Sequence, residues 1–229
     1  MATEMRIFGP VYQVGGPGIS HIDDACTYAV DCGDQVVLID AGSGRGLLAI
    51  LDNLRALFGD DKPLTWAVAT HGHIDHIGGL VYLREKKGVR VAAHEGDAGV
   101  IIHGDPEFTA SAAYGLYYRG VQLDHKISGA SENLNFGNQC LCVLHTPGHT
   151  PGSISLFIDS GGKRLLFAQD IQGPFLPQFR SNLEQWGQSI RRLLELEADI
   201  LLDGHEGPVK GSKRVRQYLE EQLAKTVDG

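Results

Sequence analysis

Four metal-capable side chains, His71, His73, Asp75 and His76, stand within six residues of this chain. Three more follow: His149 in H-T-P-G-H-T-P-G, Asp170 in F-A-Q-D and His205 in D-G-H-E-G. That much imidazole and carboxylate can hold two transition-metal ions, and metal-activated water points to hydrolysis. His71 and His73 lie just past a strand candidate, Leu64 to Thr70, in a turn made permissive by Gly72. Extended backbone there sends both rings the same way, so this pair supplies one site. Asp75 and His76, at the start of the following helix, supply the other.

His149 sits in a loop whose backbone Pro147 and Pro151 restrict. Asp170 follows the strand candidate R-L-L-F-A and His205 the strand candidate I-L-L. Strand ends are where a rigid sheet mounts binding residues. A carboxylate has two oxygens, which makes Asp170 the bridging candidate. These donors suit zinc, and also iron, cobalt or manganese; no cysteine stands among them to select a softer metal. Any one of His149, Asp170 or His205 alone reads as a solvated or capping group, but together with the cluster they require too many polar coincidences. His94, His103, His125 and His145 read as flanking or surface groups, and His21 as a residue of a glycine-rich loop bordering the cleft.

The elements that must position these residues are legible from periodicity. Ala25 to Val30 and Gln35 to Asp40 are strand candidates, the second broken by Ala41-Gly42-Ser43-Gly44. Leu47, Ile50, Leu51, Leu54, Leu57 and Phe58 make a helical stripe that packs on a sheet. Ile77, Leu80, Val81 and Leu83 predict a helix from Asp75 or His76, followed by a strand at Val89 to Ala93. From about 94 to 129 the pattern changes to a helical insert or lid carrying Phe108, Tyr114, Tyr117, Tyr118 and Arg119 among small residues. Strands return at Gln139 to His145, Ser153 to Ile158, Arg164 to Ala168 and Ile200 to Leu202. Helices are expected at Leu183 to Leu196 and Ser212 to Lys225. Two sheet-building blocks, each ending in helix, give a layered α/β sandwich.

Composition bounds the partners. With 229 residues, 42% of them hydrophobic, the chain can bury a full core, and a single domain over 1–229 is the simplest division. Lys and Arg total 20 against 28 Asp and Glu, a net charge of -8, which argues against nucleic acid or an anionic membrane as partner. Lys210, Lys213, Arg214 and Arg216 read as a solvated helix face. Cys140 and Cys142 point to one face of a strand, poorly placed to pair with each other, while Cys26 and Cys32 flank a strand and turn. With Glu4 and Arg6 early in the chain and no long apolar run, a cytoplasmic protein acting on a small molecule is expected.

His71-Gly72-His73-Ile74-Asp75-His76 resembles the H-x-H-x-D-H signature of the metallo-beta-lactamase superfamily, with His149, Asp170 and His205 following in order. Asp40, before Ala41-Gly42, resembles that family's early aspartate. The resemblance implies the αβ/βα four-layer sandwich of the metallo-beta-lactamase fold. It assigns His71, His73 and His149 to a first metal and Asp75, His76 and His205 to a second, with Asp170 bridging and two zinc ions as cofactors. His71, His73, Asp75 and Asp170 are then the catalytic set, with Asp75 also orienting the attacking hydroxide.

H-T-P-G-H-T-P-G is similar to the hydroxyacylglutathione hydrolase and lactonase branches, which implies hydrolysis of a thioester, ester or lactone. Those enzymes often have a further histidine where this chain has Ser153. A mononuclear iron sulfur dioxygenase and a beta-lactam hydrolase are the alternatives. Phe108, Tyr114, Tyr117, Tyr118, Phe175, Phe179 and Trp186 are candidates for an apolar acyl pocket, with one of the three tyrosines donating to the oxyanion. A homodimer in which the 108–118 segment packs near the partner is set against a monomer whose insert covers its own sheet.

Overall fold

The computed structural model describes residues 5–225; Glu4 and both ends of the expected 1–229 domain, 1–4 and 226–229, lie outside the described residues. The first sheet runs in the order β1 (Arg6–Phe8), β2 (Val11–Gly15), β3 (Thr27–Asp31), β4 (Val36–Ile39), β5 (Leu64–Val68), β6 (Arg90–His94) and β7 (His125–Ile127). Pairing is antiparallel from β1 to β4 and parallel from β4 to β7. The second sheet holds β8 (Ser131–Phe136), β9 (Gln139–His145), β10 (Ile154–Ser160), β11 (Lys163–Phe167), β12 (Ile200–Leu202) and β13 (Pro208–Lys210), ordered β13-β12-β11-β10-β9-β8.

Val37, Ile39 and Val68 from the first sheet and Leu141, Val143, Leu156 and Phe167 from the second share one buried core between the sheets. A second core packs α1 (Leu47–Phe58), α3 (Leu80–Lys87) and α4 (Glu95–His103) on the outside of the first sheet. A third packs α5 (Leu183–Glu195) and α6 (Ser212–Lys225) outside the second. The result is the four-layer αβ/βα sandwich that the sequence predicts.

The stripe of α1 works as its periodicity requires: Leu47, Ile50 and Leu54 are buried, and the helix stops at Gly59, whose φ of 76° a side chain would resist. In β9, Leu141 and Val143 face the core, so Cys140 and Cys142 face outward together, as their spacing implies. Three expectations change. The single helix near Asp75 is two, α2 (Ile74–Ile77) and α3, separated at Gly78-Gly79. A Cβ on Gly78 would stand 2.0 Å from the Ser43 carbonyl oxygen, and one on Gly79 2.4 Å from that of Ala41, so the 41–44 loop crosses the chain backbone to backbone. The 94–129 segment holds one helix, α4, then turns, and returns to the first sheet as β7. Strands β1, β2, β8 and β13 fall where no strand is read from the sequence; β8 is S-E-N-L-N-F, an edge strand with only Leu134 and Phe136 buried.

Gly78→Ala is expected to destabilise the chain by about 3 kcal/mol, because it drives a methyl into fixed backbone. Gly99→Ala, inside α4 with nothing within 4 Å of its Cβ, is expected to be neutral or stabilising by up to about 1 kcal/mol. Urea unfolding of the two variants checks the contrast, and equal midpoints would remove the argument for the crossing.

Candidate metal centre

The seven residues come from one end of both sheets. His71 follows β5, His73 is the N-cap of α2, and Asp75 and His76 lie within α2. His149 lies in the β9–β10 loop, Asp170 follows β11 and His205 follows β12. Their donor atoms fall into two groups: His71, His73, His149 and Asp170, and Asp75, His76 and His205, each group within 4.8 Å. In the first, His73 Nδ1 lies 3.0 Å from His71 Nε2 and 2.9 Å from His149 Nε2. Asp170 Oδ2 lies 3.4 Å from His71 Nε2 and 3.3 Å from His149 Nε2. In the second, Asp75 Oδ2 lies 3.6 Å from both His76 Nε2 and His205 Nε2. Asp170 Oδ1 lies 3.2 Å from His76 Nε2 and 3.1 Å from His205 Nε2. One carboxylate thus turns a separate oxygen to each group.

These distances suit an ion at each centre. Donors about 2.0–2.1 Å from a tetrahedral zinc are about 3.3 Å from one another. Among the described residues, the buried atoms His76 Nε2 and Asp170 Oδ1 face one another at 3.2 Å and find no partner of good hydrogen-bond geometry. Burial, then the neighbouring imidazoles His76 and His149, lower His71 to a pKa of about 4. Burial and the rings of His71 and His149 push His73 well below the usual histidine range. Neutral rings with converging lone pairs are what a cation requires. His76 behaves oppositely: burial pulls its pKa down, but Asp170, Asp75 and Asp40 outweigh burial and hold it well up. Burial likewise opposes ionisation of Asp170, yet His76, His71, His149 and His205 keep its pKa well below the carboxylate range.

Asp40 organises the second group from beneath. Fully buried after β4, it accepts hydrogen bonds from Thr70 N and Thr70 Oγ1, both at 2.8 Å, and from Gln169 Nε2 at 3.1 Å. It also lies 2.7 Å from His76 Nδ1, which leaves Nε2 of that ring to face Asp170. Asp40 and Asp170 both have left-handed backbone, φ 63° and 54°, a conformation aspartate tolerates better than most residues.

The aromatic candidates separate. Phe179 lies 4.2 Å from the His73 ring and Phe108 6.3 Å, while Phe175 lies 6.2 Å from His149, so these rings wall the first group. Trp186 is buried behind Phe175, its Nε1 donating to the Ile171 carbonyl. Tyr117 is 90% exposed and Tyr118 is buried in the outer core. Tyr114 is the one beside the centre: burial, then the nearby Asp75 and Asp170 carboxylates, raise its pKa. Arg45 holds Tyr114 in place by donating to its carbonyl oxygen at 2.9 Å, while pairing with Asp23. Spacing alone does not reveal this bracing, nor the roles of Gln169 and Thr70.

The remaining histidines sort by geometry. His94 and His145 stack on one another with centroids 3.8 Å apart, His125 pairs with Glu132, and His21 lies in the 16–24 loop, where its Nδ1 accepts from Asp23 N. Lys210, Lys213, Arg214 and Arg216 are exposed. Among the described residues, no helix is long and apolar enough to cross a membrane.

A family model described as the metallo-beta-lactamase superfamily matches residues 26–205. The chain is 29% identical to the probable metallo-hydrolase YflN of Bacillus subtilis, over 81% of this chain and 80% of that one. It is 30% identical to the acyl-coenzyme A thioesterase MBLAC2 of Gallus gallus, over 82% and 74%. A hydroxyacylglutathione hydrolase of Cereibacter sphaeroides is 33% identical over 62% of this chain and 49% of its own length. The solved structure of a B3 metallo-beta-lactamase with an active-site glutamic acid superposes with a TM-score of 0.79 at 26% identity, covering 97% of this chain and 88% of that one.

Ions that bind only the folded chain stabilise it in proportion to their occupancy. Removal of metal by a chelator is expected to lower the melting temperature, and zinc at about 1,000 times its dissociation constant to restore about 4 kcal/mol per ion. Calorimetry with and without zinc checks this, and an unchanged melting temperature would refute ion binding at the two groups.

Proposed function

The chain belongs to the metallo-beta-lactamase superfamily and is a metal-dependent hydrolase with a binuclear metal-binding site, and from that premise we propose that its substrate is a carboxylic thioester, with esters and lactones as related substrates. The observation that carries this is the aromatic wall: the Phe179 and Phe108 rings stand 4.2 and 6.3 Å from that of His73, so the ground beside the hydrolytic centre is apolar and suits an acyl group. Similarity to the acyl-coenzyme A thioesterase and to the hydroxyacylglutathione hydrolase supports the same class.

In this reading His71, His73 and His149 would hold one ion and Asp75, His76 and His205 the other, with Asp170 placed to serve both. A metal bound there, such as zinc, would supply a water acidified toward neutral pH and an electrophile for the carbonyl oxygen. Asp75 turns its carboxylate toward His76 and His205 and orients the attacking hydroxide. The Tyr114 hydroxyl, braced by Arg45, donates to the oxygen on which charge develops. Phe108, Phe175 and Phe179 keep bulk water from the acyl side. The Arg180 guanidinium, 5.4 Å over the Phe108 ring, meets the thiolate that leaves as the C–S bond breaks. The domain acts as a unit over 1–229, and its four free cysteines suit the reducing cytoplasm.

The purified protein, its metal content measured, is tested on a thioester, a lactone, a beta-lactam and a phosphodiester. Two metal equivalents and highest kcat/KM on the thioester are expected; preference for the phosphodiester would overturn the substrate reading, and one iron with oxygen consumption would overturn hydrolysis. Asp75→Ala is expected to lose at least about 100-fold in kcat/KM and to loosen one ion. Tyr114→Phe is expected to lose about tenfold in kcat with both ions retained, the worth of one hydrogen bond made in the transition state.

A further inference from the structure

Asp97, in the first turn of α4, takes no part in either group of donors, yet it is fully buried. Its carboxylate accepts three hydrogen bonds from two separate loops. Gly72 N, between His71 and His73, donates to Oδ2 at 2.9 Å. Thr150 Oγ1, next to His149, donates to the same oxygen at 2.7 Å, and Gly152 N donates to Oδ1 at 2.7 Å.

The contact between α4 and the second loop is backbone to backbone. A Cβ on Gly152 would stand 2.3 Å from Asp97 N, and one on Gly96 would stand 2.7 Å from the Pro151 carbonyl oxygen. The same junction is closed on its outer side by His145, whose Nε2 lies 2.8 Å from the Pro151 carbonyl oxygen and whose ring stacks on His94, the N-cap of α4. Burial raises the Asp97 pKa against the pull of Thr150, Gly152 and Gly72, so the three donors offset a real cost. A carboxylate placed only to cap a helix start has no need of donors from two distant loops.

We propose that Asp97 is a positioning residue: it ties the loop bearing His71 and His73 to the loop bearing His149, and holds the three imidazoles at ligand spacing before an ion arrives. Groups that orient metal ligands are worth about 10- to 100-fold in metal affinity. The clasp acts on the first group alone, because Asp75 and His76, although on the helix that His73 caps, are held by Ala25 N, Ala41 N and Asp40, and His205 by Asp203.

Asp97→Asn keeps the shape but replaces one acceptor by an NH2, which in either orientation confronts the N–H of Gly72 or of Gly152 and releases one loop. The full chain is titrated with zinc against a chromophoric chelator to give two stepwise constants, and amide exchange is followed in the metal-free protein. One ion is expected to bind about 10- to 100-fold more weakly and the other as before. Exchange is expected to quicken at Gly72 and Gly152 while α5 and α6 stay protected. Glu95→Gln, an exposed charge loss in the same turn of α4, is expected to leave both constants unchanged.

Equal weakening of both ions with a global loss of protection, an equal effect of Glu95→Gln, or no change in Asp97→Asn would each overturn the proposal. Should Asp97→Asn not fold, Thr150→Val removes one of the three bonds and is expected to weaken the same single ion by about 3- to 10-fold; loss at both ions or at neither overturns it. The inference rests on metal binding by the first group. A wild-type chain that takes up no zinc refutes that reading, whereas exchange at Gly72 and Gly152 in the metal-free protein tests the clasp separately.

Discussion

One buried carboxylate sets the terms for this molecule. Asp170 lies within 3.4 Å of four imidazoles, two at each oxygen, in a place from which bulk water is excluded. Buried ionised groups are costly unless paired on every side, and the pairing groups here come from three separate stretches of chain. Bringing them together requires two sheets whose strand ends meet, which is what the sandwich provides. The opposed pKa shifts of His71 and His76 follow from the same arrangement: both rings are buried, but His76 faces three carboxylates and His71 chiefly other rings.

Close backbone approaches deliver these groups to their places. Gly78 and Gly79 let the 41–44 loop cross the junction of α2 and α3, and Gly148 lies so near Trp186 that a Cβ would stand 2.3 Å from its Cα. The crossing fixes α2, with Ala41 N donating to the His76 carbonyl and Ala25 N to that of Asp75. Ser181 Oγ donates to the His149 carbonyl at 2.7 Å, so the β9–β10 loop is braced by the segment that also carries Phe179. The donor-bearing loops are thus held by main-chain bonds together with a few side chains, Ser181 and Asp97 among them. Side chains outside the centre are left free to shape the cleft.

The donor residues are legible in the sequence because their chemistry is carried by residue type and by short spacings such as His71 to His76. The layers are legible because α1, β9 and α5 have clear periodicity. What hides is whatever depends on tertiary contact. The break between α2 and α3 comes from a loop 35 residues away crossing at Gly78, which no local pattern shows. Strand β8 alternates polar and apolar residues weakly because it is an edge with one face in solvent. Asp97 looks like an ordinary first-turn acid, and Tyr114 is indistinguishable by spacing from Tyr117 and Tyr118 until Arg45 is seen to hold it.

The cleft and the centre therefore obey different constraints. The centre is tightly determined: six of the seven donors are buried and tied to backbone contacts, to Asp40 or to neighbours of Asp97, and a change at one of them leaves a buried polar group without its partner, while His205 stands at the open side. The wall is built from side chains of two irregular segments, 106–118 and 171–182, whose rings reach the first group by packing alone. Packing tolerates replacement of one apolar side chain by another of similar volume far better than a buried polar network tolerates loss of an acceptor. If these rings line the acyl side as proposed, replacing Phe108, Phe175 or Phe179 shifts substrate preference while the buried donors stay as they are. That separation is a physical reason for one sandwich to carry several kinds of hydrolysis, and for its reaction to be read from sequence more readily than its substrate.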